Sequence, residues 1–411
     1  MANLNETPLS KRIHIALFGK SNAGKSSIIN AITNQNVALV SDVKGTTTDP
    51  VYKAMELLPI GPIVLIDTAG LDDTSQLGDL RKKKTYEVLN KTDLAILVID
   101  AEVGVTPFDL EILKALNSKN IPVISVINKI DIINLSQEKL KEFEKALKKD
   151  VISISAKTNL GIKELKEEII KNIPEDEDKF RILGDLVSPG DFVVLVTPID
   201  KAAPKGRLIL PQQQTIRDII ESDAIAIVTK EYELRETLNN LKVKPKLVIT
   251  DSQVFLKVAA DTPKDILMTS FSILFARHKG DLNELVKGAR AIKKLKDGDK
   301  VLISEACTHH SQSDDIAKVK IPRWLREATG KDIKFEFSSG YSFPENLTSY
   351  SLIVHCGGCM LNRRAMLHRI TEAKDKNVPI VNYGVLIAYV QGLFERALDP
   401  FPLAKMMFEE E

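Results

Sequence analysis

At 411 residues the chain is too long for one ordinary core, and a typical size of about 150 residues per domain predicts two or three domains. Its 44% hydrophobic and 27% charged residues are typical of globular proteins, and a net charge of +1 gives no reason to expect nucleic acid or an anionic membrane as a partner. The amino-terminal segment is polar, no run of about 18 apolar residues occurs, and the cysteines are too few for a disulfide framework. These features argue against a secreted or membrane protein, so we expect a cytoplasmic one.

The first segment alternates short β-branched runs with amphipathic stretches, which is typical of a parallel sheet wrapped by helices. The predicted strands are residues 13–18, 63–66, 94–99, 123–127 and 151–154. The predicted helices include residues 108–117, 137–148 and 162–172. An acidic run follows Pro174 and marks a boundary. The sequence therefore predicts a first domain over residues 1–174.

A phosphate-loop pattern follows the first predicted strand and reads Gly19-Lys20-Ser21-Asn22-Ala23-Gly24-Lys25-Ser26. A helical pattern comes after it, so the helix amino terminus faces the bound negative charge. The glycines allow backbone amides to curl around the phosphates. Lys25 is predicted to reach the β- and γ-phosphates, and the Ser26 hydroxyl to bind Mg²⁺.

Three further motifs follow in order, each at the carboxyl end of a predicted strand, where open α/β sheets bind ligands. Asp67 is predicted to hold the magnesium shell, and the Gly70 amide to contact the γ-phosphate. Asp131 can accept both the N1 and N2 hydrogens of guanine, which adenine does not offer. The predicted GTP-binding residues are Gly19, Asn22, Ala23, Gly24, Lys25, Ser26, Ser27, Asp67, Gly70, Asn128, Lys129, Asp131, Ser155, Ala156 and Lys157.

With these motifs, residues 11–173 resemble the translation-factor-related GTPases, especially the branch of tRNA-modification and ribosome-assembly enzymes. That resemblance implies a Ras-like P-loop fold and a first switch over residues 45–49, in which Thr47, with Thr46 as the alternative, completes the magnesium shell of Ser26 and Asp67. Leu71 stands where Ras-like enzymes place a water-orienting glutamine. In this branch an asparagine at the position of Asn22 helps bind a K⁺ ion that promotes hydrolysis. The resemblance thus implies four catalytic residues, namely Lys25, Asn22, Thr47 and Gly70.

The second segment, residues 180–265, is predicted to be a smaller α/β unit. Its predicted strands are residues 192–197, 224–228, 246–250 and 255–258, and its predicted helices are residues 213–221 and 232–239. It contains no cysteine, histidine or phosphate loop. The sequence therefore predicts a spacer or assembly module without chemistry of its own.

The third segment, residues 266–411, returns to a strand–helix pattern and contains all three cysteines. The predicted strands are residues 301–304, 334–337, 352–355 and 379–382, and the predicted helices include residues 281–295 and 363–374. Cys307 and His309 follow one strand, and His355, Cys356 and Cys359 lie at the end of another. Because carboxyl ends of strands in one α/β unit meet at one edge, these groups can converge.

Several kinds of site accept such a constellation. A redox dithiol uses only Cys356 and Cys359. A structural zinc site accepts three thiolates and one imidazole. A 4Fe–4S cluster with three thiolates keeps one iron for a weak or exchangeable ligand. From the spacing alone, zinc and iron–sulfur remain equal alternatives, and buried inert thiols are a further one.

Joined to an amino-terminal GTPase, the Cys-x-His and His-Cys-x-x-Cys motifs resemble the FeFe-hydrogenase maturation GTPase (HydF) family over essentially the whole chain. The resemblance implies an α/β protein of three domains: a GTP-binding domain (1–174), a dimerisation domain (180–265) and a 4Fe–4S cluster-binding domain (266–411). It implies Cys307, Cys356 and Cys359 as cluster ligands, with His309 or His355 as a fourth ligand or a hydrogen-bonding neighbour. It also implies a homodimer, a diiron cofactor precursor as cargo, and two radical-SAM maturases and apo FeFe-hydrogenase as partners.

Two other functions fit parts of the pattern. A tRNA-modification or ribosome-associated GTPase with a zinc-stabilised carboxyl-terminal domain predicts RNA affinity and one bound zinc ion, although the near-neutral charge weighs against RNA. A redox-sensing regulator predicts a reversible disulfide between Cys356 and Cys359.

Overall fold

The computed structural model describes residues 7–33, 50–68, 84–133, 136–173, 181–199, 208–306, 315–340, 343–344, 346–358 and 360–409. The chain divides into two compact units, Met1–Glu175 and Asp176–Glu411.

The first unit is built on a six-stranded sheet in the order β2-β3-β1-β4-β5-β6. All neighbouring strands are parallel except β2, which runs antiparallel to β3. The strands are β1 (Ile13–Phe18), β2 (Val51–Leu57), β3 (Gly61–Asp67), β4 (Leu94–Asp100), β5 (Val123–Asn128) and β6 (Val151–Ser153). The helices are α1 (Lys25–Thr33), the described part of α2 (84–89), α3 (Pro107–Ser118), α4 (Gln137–Leu147) and α5 (Ile162–Asn172).

The apolar runs of this sheet are long because helices cover both of its faces. Strand β4 is buried along six consecutive residues, Leu94 to Ile99, as expected for a central parallel strand. Strand β2 alternates between exposed and partly buried positions and lies at the edge. This weaker pattern explains why the sequence did not predict β2.

The second unit contains two four-stranded parallel sheets. The first has the order β10-β9-β7-β8, with β7 (Phe192–Val196), β8 (Ile225–Thr229), β9 (Leu247–Thr250) and β10 (Leu267–Ser270). The second has the order β12-β11-β13-β14, with β11 (Lys300–Glu305), β12 (Lys334–Ser339), β13 (Leu352–His355) and β14 (Ile380–Asn382). One continuous hydrophobic core runs through both sheets.

The helices of the second unit connect these strands. They are α6 (Leu210–Glu221), α7 (Leu234–Asn240), α8 (Phe255–Asp261), α9 (Phe271–Lys279), α10 (Leu282–Arg290), α11 (Ile321–Thr329), α12 (Arg363–Asp375), α13 (Tyr383–Val390), α14 (Phe394–Leu398) and α15 (Pro402–Glu409). Helix α10 approaches β14 closely because residue 288 is glycine: a Cβ there would lie 1.8 Å from the Ile380 carbonyl oxygen. Among the helices of the described residues, none has the length and apolar character that crossing a membrane requires.

The structure corrects one predicted strand in the middle segment. Residues 255–258 belong to α8, not to a strand, because Phe255, Val258 and Ala259 are buried at helical spacing. Asp251 promotes the turn before this helix by accepting a hydrogen bond from the Gln253 amide. A short apolar run alone does not distinguish a helix from a strand. In addition, β10 pairs with β9 although it follows residue 265, the predicted end of the middle segment.

A buried histidine makes the stability of the first unit depend on pH. His14 on β1 is 6% exposed, and its Nδ1 donates a hydrogen bond to the Arg12 carbonyl oxygen over 2.8 Å. Burial lowers the pKa of His14 to about 4, although the Arg12 contact raises it in part. Between this pKa and the value of 6.5 in the unfolded state, the unfolded state binds more protons than the folded state. The contribution of neutral His14 to stability is therefore fully present above about pH 6.5 and is lost as the pH decreases towards 4.

We therefore expect His14 to contribute about 3 kcal/mol to the loss of stability across this pH range. The measurement is the free energy of unfolding in urea at several pH values for the wild type and His14→Asn. Asparagine keeps a nitrogen donor but does not titrate. The free energy of unfolding of His14→Asn should therefore fall by about 3 kcal/mol less than that of the wild type over this pH range. Equal slopes for the two proteins would contradict the assignment.

Candidate functional site

The phosphate loop has the backbone that its glycines allow. A Cβ at Gly19 would lie 2.2 Å from the Val98 carbonyl oxygen, and a Cβ at Gly24 would lie 2.2 Å from the Asn128 amide nitrogen. Gly24 also has a φ of +92°, which other residues rarely adopt. The Lys25 Nζ atom lies over this loop and donates to the Gly19 and Lys20 carbonyl oxygens, each at 2.9 Å. The loop therefore carries a buried cation, 7% exposed, where phosphates are expected to bind.

Two of the three predicted magnesium ligands are already in contact. The Ser26 hydroxyl at the start of α1 donates a hydrogen bond to the Asp67 carboxylate at the end of β3. Burial raises the pKa of Asp67, and the contacts with Ser26 and Lys25 oppose this rise. A divalent cation between these oxygens would offset the burial of the carboxylate. The third predicted ligand, Thr47, and the predicted γ-phosphate contact, Gly70, lie outside the described residues.

The predicted base-binding motifs form one network. Asn128 joins two of them, because its amide nitrogen donates to the Ala23 carbonyl oxygen over 2.8 Å and its amide oxygen accepts from the Ala156 backbone over 3.1 Å. The Ser155 hydroxyl donates to the Asp131 carboxylate over 2.7 Å and thereby orients it. These contacts orient the carboxylate that the sequence predicts to recognise guanine.

A cavity of about 650 Å³ lies at these motifs. It is lined by Gly24, Ser27, Asn30, Ala31, Asn128, Lys129, Asp131, Ile132, Ala156, Lys157 and Asn159. Seven of these residues were predicted from the sequence; they are Gly24, Ser27, Asn128, Lys129, Asp131, Ala156 and Lys157. The volume and the polar lining suit a nucleoside.

Sequence reasoning missed Asp100, which supports the base pocket. Its carboxylate at the end of β4 accepts a hydrogen bond from Lys129 Nζ over 2.6 Å. Lys129 has a φ of +70°, so this contact holds a strained residue of the base-binding motif in place. The signal was present in the sequence, since Asp100 is the first polar residue after the apolar run of β4.

The strands that precede the two cysteine motifs in the sequence lie side by side in the last sheet. Strands β11 and β13 are parallel neighbours, and Ser304 lies opposite His355 in their register. The Ala306 amide donates a hydrogen bond to the Cys356 sulfur over 3.2 Å. Ala306, the last described residue before Cys307 in the sequence, therefore lies beside this sulfur.

His355 uses both ring nitrogens within the protein. It is completely buried, with Nδ1 lying 2.6 Å from the Cys356 carbonyl oxygen and Nε2 lying 2.6 Å from an Arg369 guanidinium nitrogen. Since arginine only donates, Nε2 accepts and Nδ1 carries the proton. Burial, assisted by the positive charge of Arg369, lowers the pKa of His355 to about 3. Of the two roles considered for His355, this geometry favours the hydrogen-bonding neighbour over the metal ligand.

The residues around Cys356 suit an inorganic group held by thiolates. Cys356 is partly exposed, and its sulfur accepts an amide hydrogen, as metal-bound thiolates do. A Cβ at Gly357 would meet nothing within 4 Å, so the chain leaves open space beside this residue. Cys307, His309 and Cys359 lie outside the described residues. Within the described ranges alone, no three histidine, cysteine or acidic side chains come close enough to hold a metal ion.

Comparison with protein families matches three segments of the chain. Residues 14–129 match the model of the 50S ribosome-binding GTPase. Residues 182–280 match the hydrogen maturase F dimerization domain, and residues 283–400 match the hydrogen maturase F tetramerization domain. The GTPase model covers the phosphate loop, and the tetramerization model covers all three cysteines.

Curated relatives resemble part of the chain. The tRNA modification GTPase MnmE of Endomicrobium trichonymphae is 32% identical over 247 residues, which is 59% of this chain and 52% of the relative. The GTPase Der of Mycoplasmopsis agalactiae is 33% identical over 211 residues, 48% of each protein. The chain thus spans about half the length of these relatives. The structure of Aquifex aeolicus Era bound to GDP and AlF₄⁻ matches with 23% identity and a TM-score of 0.37, covering 53% of this chain and 94% of Era.

Proposed function

The chain belongs to the hydrogen maturase F family, and we propose that it hydrolyses GTP and carries a 4Fe–4S cluster. The cluster holds a diiron cofactor precursor, which the protein delivers to apo FeFe-hydrogenase. The observation that supports the carrier role most directly is the hydrogen bond from the Ala306 amide to the Cys356 sulfur. It joins the end of the strand that precedes Cys307 to Cys356, within the segment that matches the tetramerization domain.

The hydrolytic part of the proposal rests on the phosphate loop. Lys25 and the loop amides bind the phosphates, and Ser26 and Asp67 hold Mg²⁺, since their side chains are already in contact. We propose, from the sequence, that Thr47 completes the magnesium shell and that the Gly70 amide contacts the γ-phosphate. The reaction is phosphoryl transfer to water, in which fixed positive groups stabilise the developing charge.

Asn22 is proposed to bind a K⁺ ion beside the phosphates. It lies in the phosphate loop with a φ of +63°, a conformation that asparagine tolerates better than most residues. A K⁺ ion there would add a positive charge close to the transferred phosphoryl group.

We expect GTP turnover to rise about tenfold when K⁺ replaces Na⁺, which corresponds to about 1.4 kcal/mol of transition-state stabilisation. Asn22→Gly is the matched variant, because glycine keeps the positive φ and removes only the side-chain oxygen. The ratio of the rates in K⁺ and Na⁺ should fall to about one in this variant. A wild-type rate that does not respond to K⁺ would contradict the proposed ion.

The carrier part of the proposal assigns Cys307, Cys356 and Cys359 as cluster ligands. With three thiolates from the chain, a 4Fe–4S cluster keeps one iron available for an exchangeable ligand or a second metal unit. His355 orients the Cys356 backbone through its Nδ1 hydrogen bond. His309 remains the candidate histidine for direct ligation.

The test of the carrier role is anaerobic reconstitution of the full chain with iron and sulfide. We expect an electron paramagnetic resonance signal of a reduced 4Fe–4S cluster, and transfer of hydrogenase activity to apo FeFe-hydrogenase after loading by the two radical-SAM maturases. A colourless protein with one tightly bound zinc ion would support the tRNA-modification or ribosome-associated alternative. A reversible disulfide in place of a cluster would support the redox sensor.

The assembly follows from the matched domains. Because residues 182–400 match dimerization and tetramerization domains, the family supports oligomerisation, and we propose a homodimer through the middle segment. Sedimentation of the full chain tests this proposal. We further propose a cytoplasmic location, where thiols and iron–sulfur clusters remain reduced.

A further inference from the structure

A buried lysine holds the loop that contains Cys359. Lys279 ends helix α9 and is only 4% exposed. Its Nζ atom donates hydrogen bonds to the Gly358 carbonyl oxygen over 3.1 Å and to the Leu361 carbonyl oxygen over 3.0 Å. These two carbonyl groups flank Cys359 in the sequence, so the ammonium group joins both sides of the loop.

A buried arginine holds the other end of the same loop. Arg369 on α12 is 2% exposed and donates to His355 Nε2 over 2.6 Å. Its guanidinium carbon lies 4.8 Å from the centre of the Phe343 ring, a cation–π contact. Through the His355 hydrogen bond to the Cys356 carbonyl oxygen, its position is coupled to the first cysteine of the loop.

The two buried side chains bring positive charge to the loop. Lys279 and Arg369 both contact the segment 355–361, where the proposed cluster would bring thiolate and sulfide charge. Charges act strongly across a poorly screened interior, and the charge around an iron–sulfur cluster is one determinant of its reduction potential.

We propose that Lys279 and Arg369 are positioning residues of the cluster site: they hold the two ends of the Cys356–Cys359 loop, and their charges favour the reduced cluster. This inference rests on the proposed cluster function. Protonated lysine and arginine side chains only donate hydrogen bonds and offer no lone pair to iron, so both would act through the loop and through charge.

The test is a redox titration of the reconstituted full chain, followed by electron paramagnetic resonance. Lys279→Gln and Arg369→Gln remove one charge each but keep a hydrogen-bond donor. At the wild-type midpoint potential, each variant should show a ratio of reduced to oxidised cluster about tenfold lower than the wild type. This corresponds to a midpoint potential about 59 mV lower for a one-electron couple. Lys279→Arg and Arg369→Lys keep the charge and should restore most of the shift.

Matched controls remove a cation from the same helices without touching the loop. Arg277 on α9 pairs with Asp185, and Lys374 on α12 pairs with Glu284 over 3.2 Å. Arg277→Gln and Lys374→Gln should keep the wild-type midpoint potential. A shift in these controls as large as that in the test variants would overturn the proposal.

The remaining outcomes are also decisive. If the wild type binds no cluster, the proposed function fails. If the wild type binds a cluster and both test variants keep its midpoint potential, only this inference fails. If Lys279→Gln or Arg369→Gln binds no cluster, the variant that keeps the charge at the same position is tested. Cluster binding by Lys279→Arg or Arg369→Lys supports the proposal, and its absence contradicts the proposal.

Discussion

Replacing Asp131 with asparagine is expected to change the nucleotide preference of the chain from GTP to xanthosine triphosphate. The Asp131 carboxylate is oriented by the Ser155 hydroxyl over 2.7 Å, at the cavity that Asn128 joins to the phosphate loop. A carboxylate accepts the N1 and N2 hydrogens of guanine. Asparagine keeps one acceptor and turns the other into a donor, which faces the guanine amino group and leaves it unpaired.

The expected loss of GTP affinity is at least about a hundredfold. Each hydrogen bond to a charged group contributes about 1.5–3 kcal/mol, and an unpaired buried donor adds a further cost. Xanthine carries a carbonyl oxygen where guanine carries the amino group, so the asparagine amide can donate to it. Affinity for xanthosine triphosphate should therefore increase in the variant.

Equilibrium binding of both nucleotides to the wild type and Asp131→Asn measures this exchange. Asp150→Asn is the matched control, because it makes the same chemical change at an exposed position outside the cavity lining. The control should bind GTP as the wild type does. An Asp131→Asn protein whose GTP affinity stays within about threefold of wild type would show that this carboxylate does not recognise the base.

Replacing Cys356 with alanine is expected to abolish cluster binding. Only three thiolates are available in the chain, so the variant would have two, fewer than a 4Fe–4S cluster normally requires. The Cys356 sulfur also accepts the Ala306 amide hydrogen, so its removal frees the backbone next to Cys307. Iron content after reconstitution should fall from about four atoms per chain to less than one.

Met360→Ala is the matched control for this loss. Met360 is 53% exposed and follows Cys359 directly, so its side chain can be removed without a cost in the core. The control should bind iron and sulfide in wild-type amounts. Full cluster content in Cys356→Ala would show that Cys356 is not a ligand and would contradict the proposed cluster site.

The nucleotide site could be predicted because its chemistry is local. The phosphate loop, Asp67 and the run 128–131 are short stretches that each follow an apolar strand, and a parallel sheet brings the carboxyl ends of its strands to one edge. The structure confirms the sheet and places Asn128 against Ala23, far away in the chain. Residues such as Asp100 were missed because a lone polar residue at a strand end carries no motif.

The pattern of apolar residues also predicted the strands that precede the two cysteine motifs, but it did not predict the side chains that lie around them. Strand periodicity predicted β11 and β13, and their parallel pairing brings their carboxyl ends to one edge of the sheet. The short apolar run at 255–258 was misassigned because its helical burial depends on the core that it meets. Strand β10 escaped prediction because only its first two residues, Leu267 and Met268, are apolar.

The sequence by itself determined that the chain has a GTPase domain and predicted that two cysteine motifs follow strands of one sheet, because both depend on contiguous residues of distinctive chemistry. Only the tertiary structure decided what surrounds the Cys356 loop. Lys279 reaches Gly358 from 79 residues away, and Arg369 meets His355 from the next helix. Such contacts arise from helix packing on the sheet, and helix packing depends on the whole core, which no local pattern specifies.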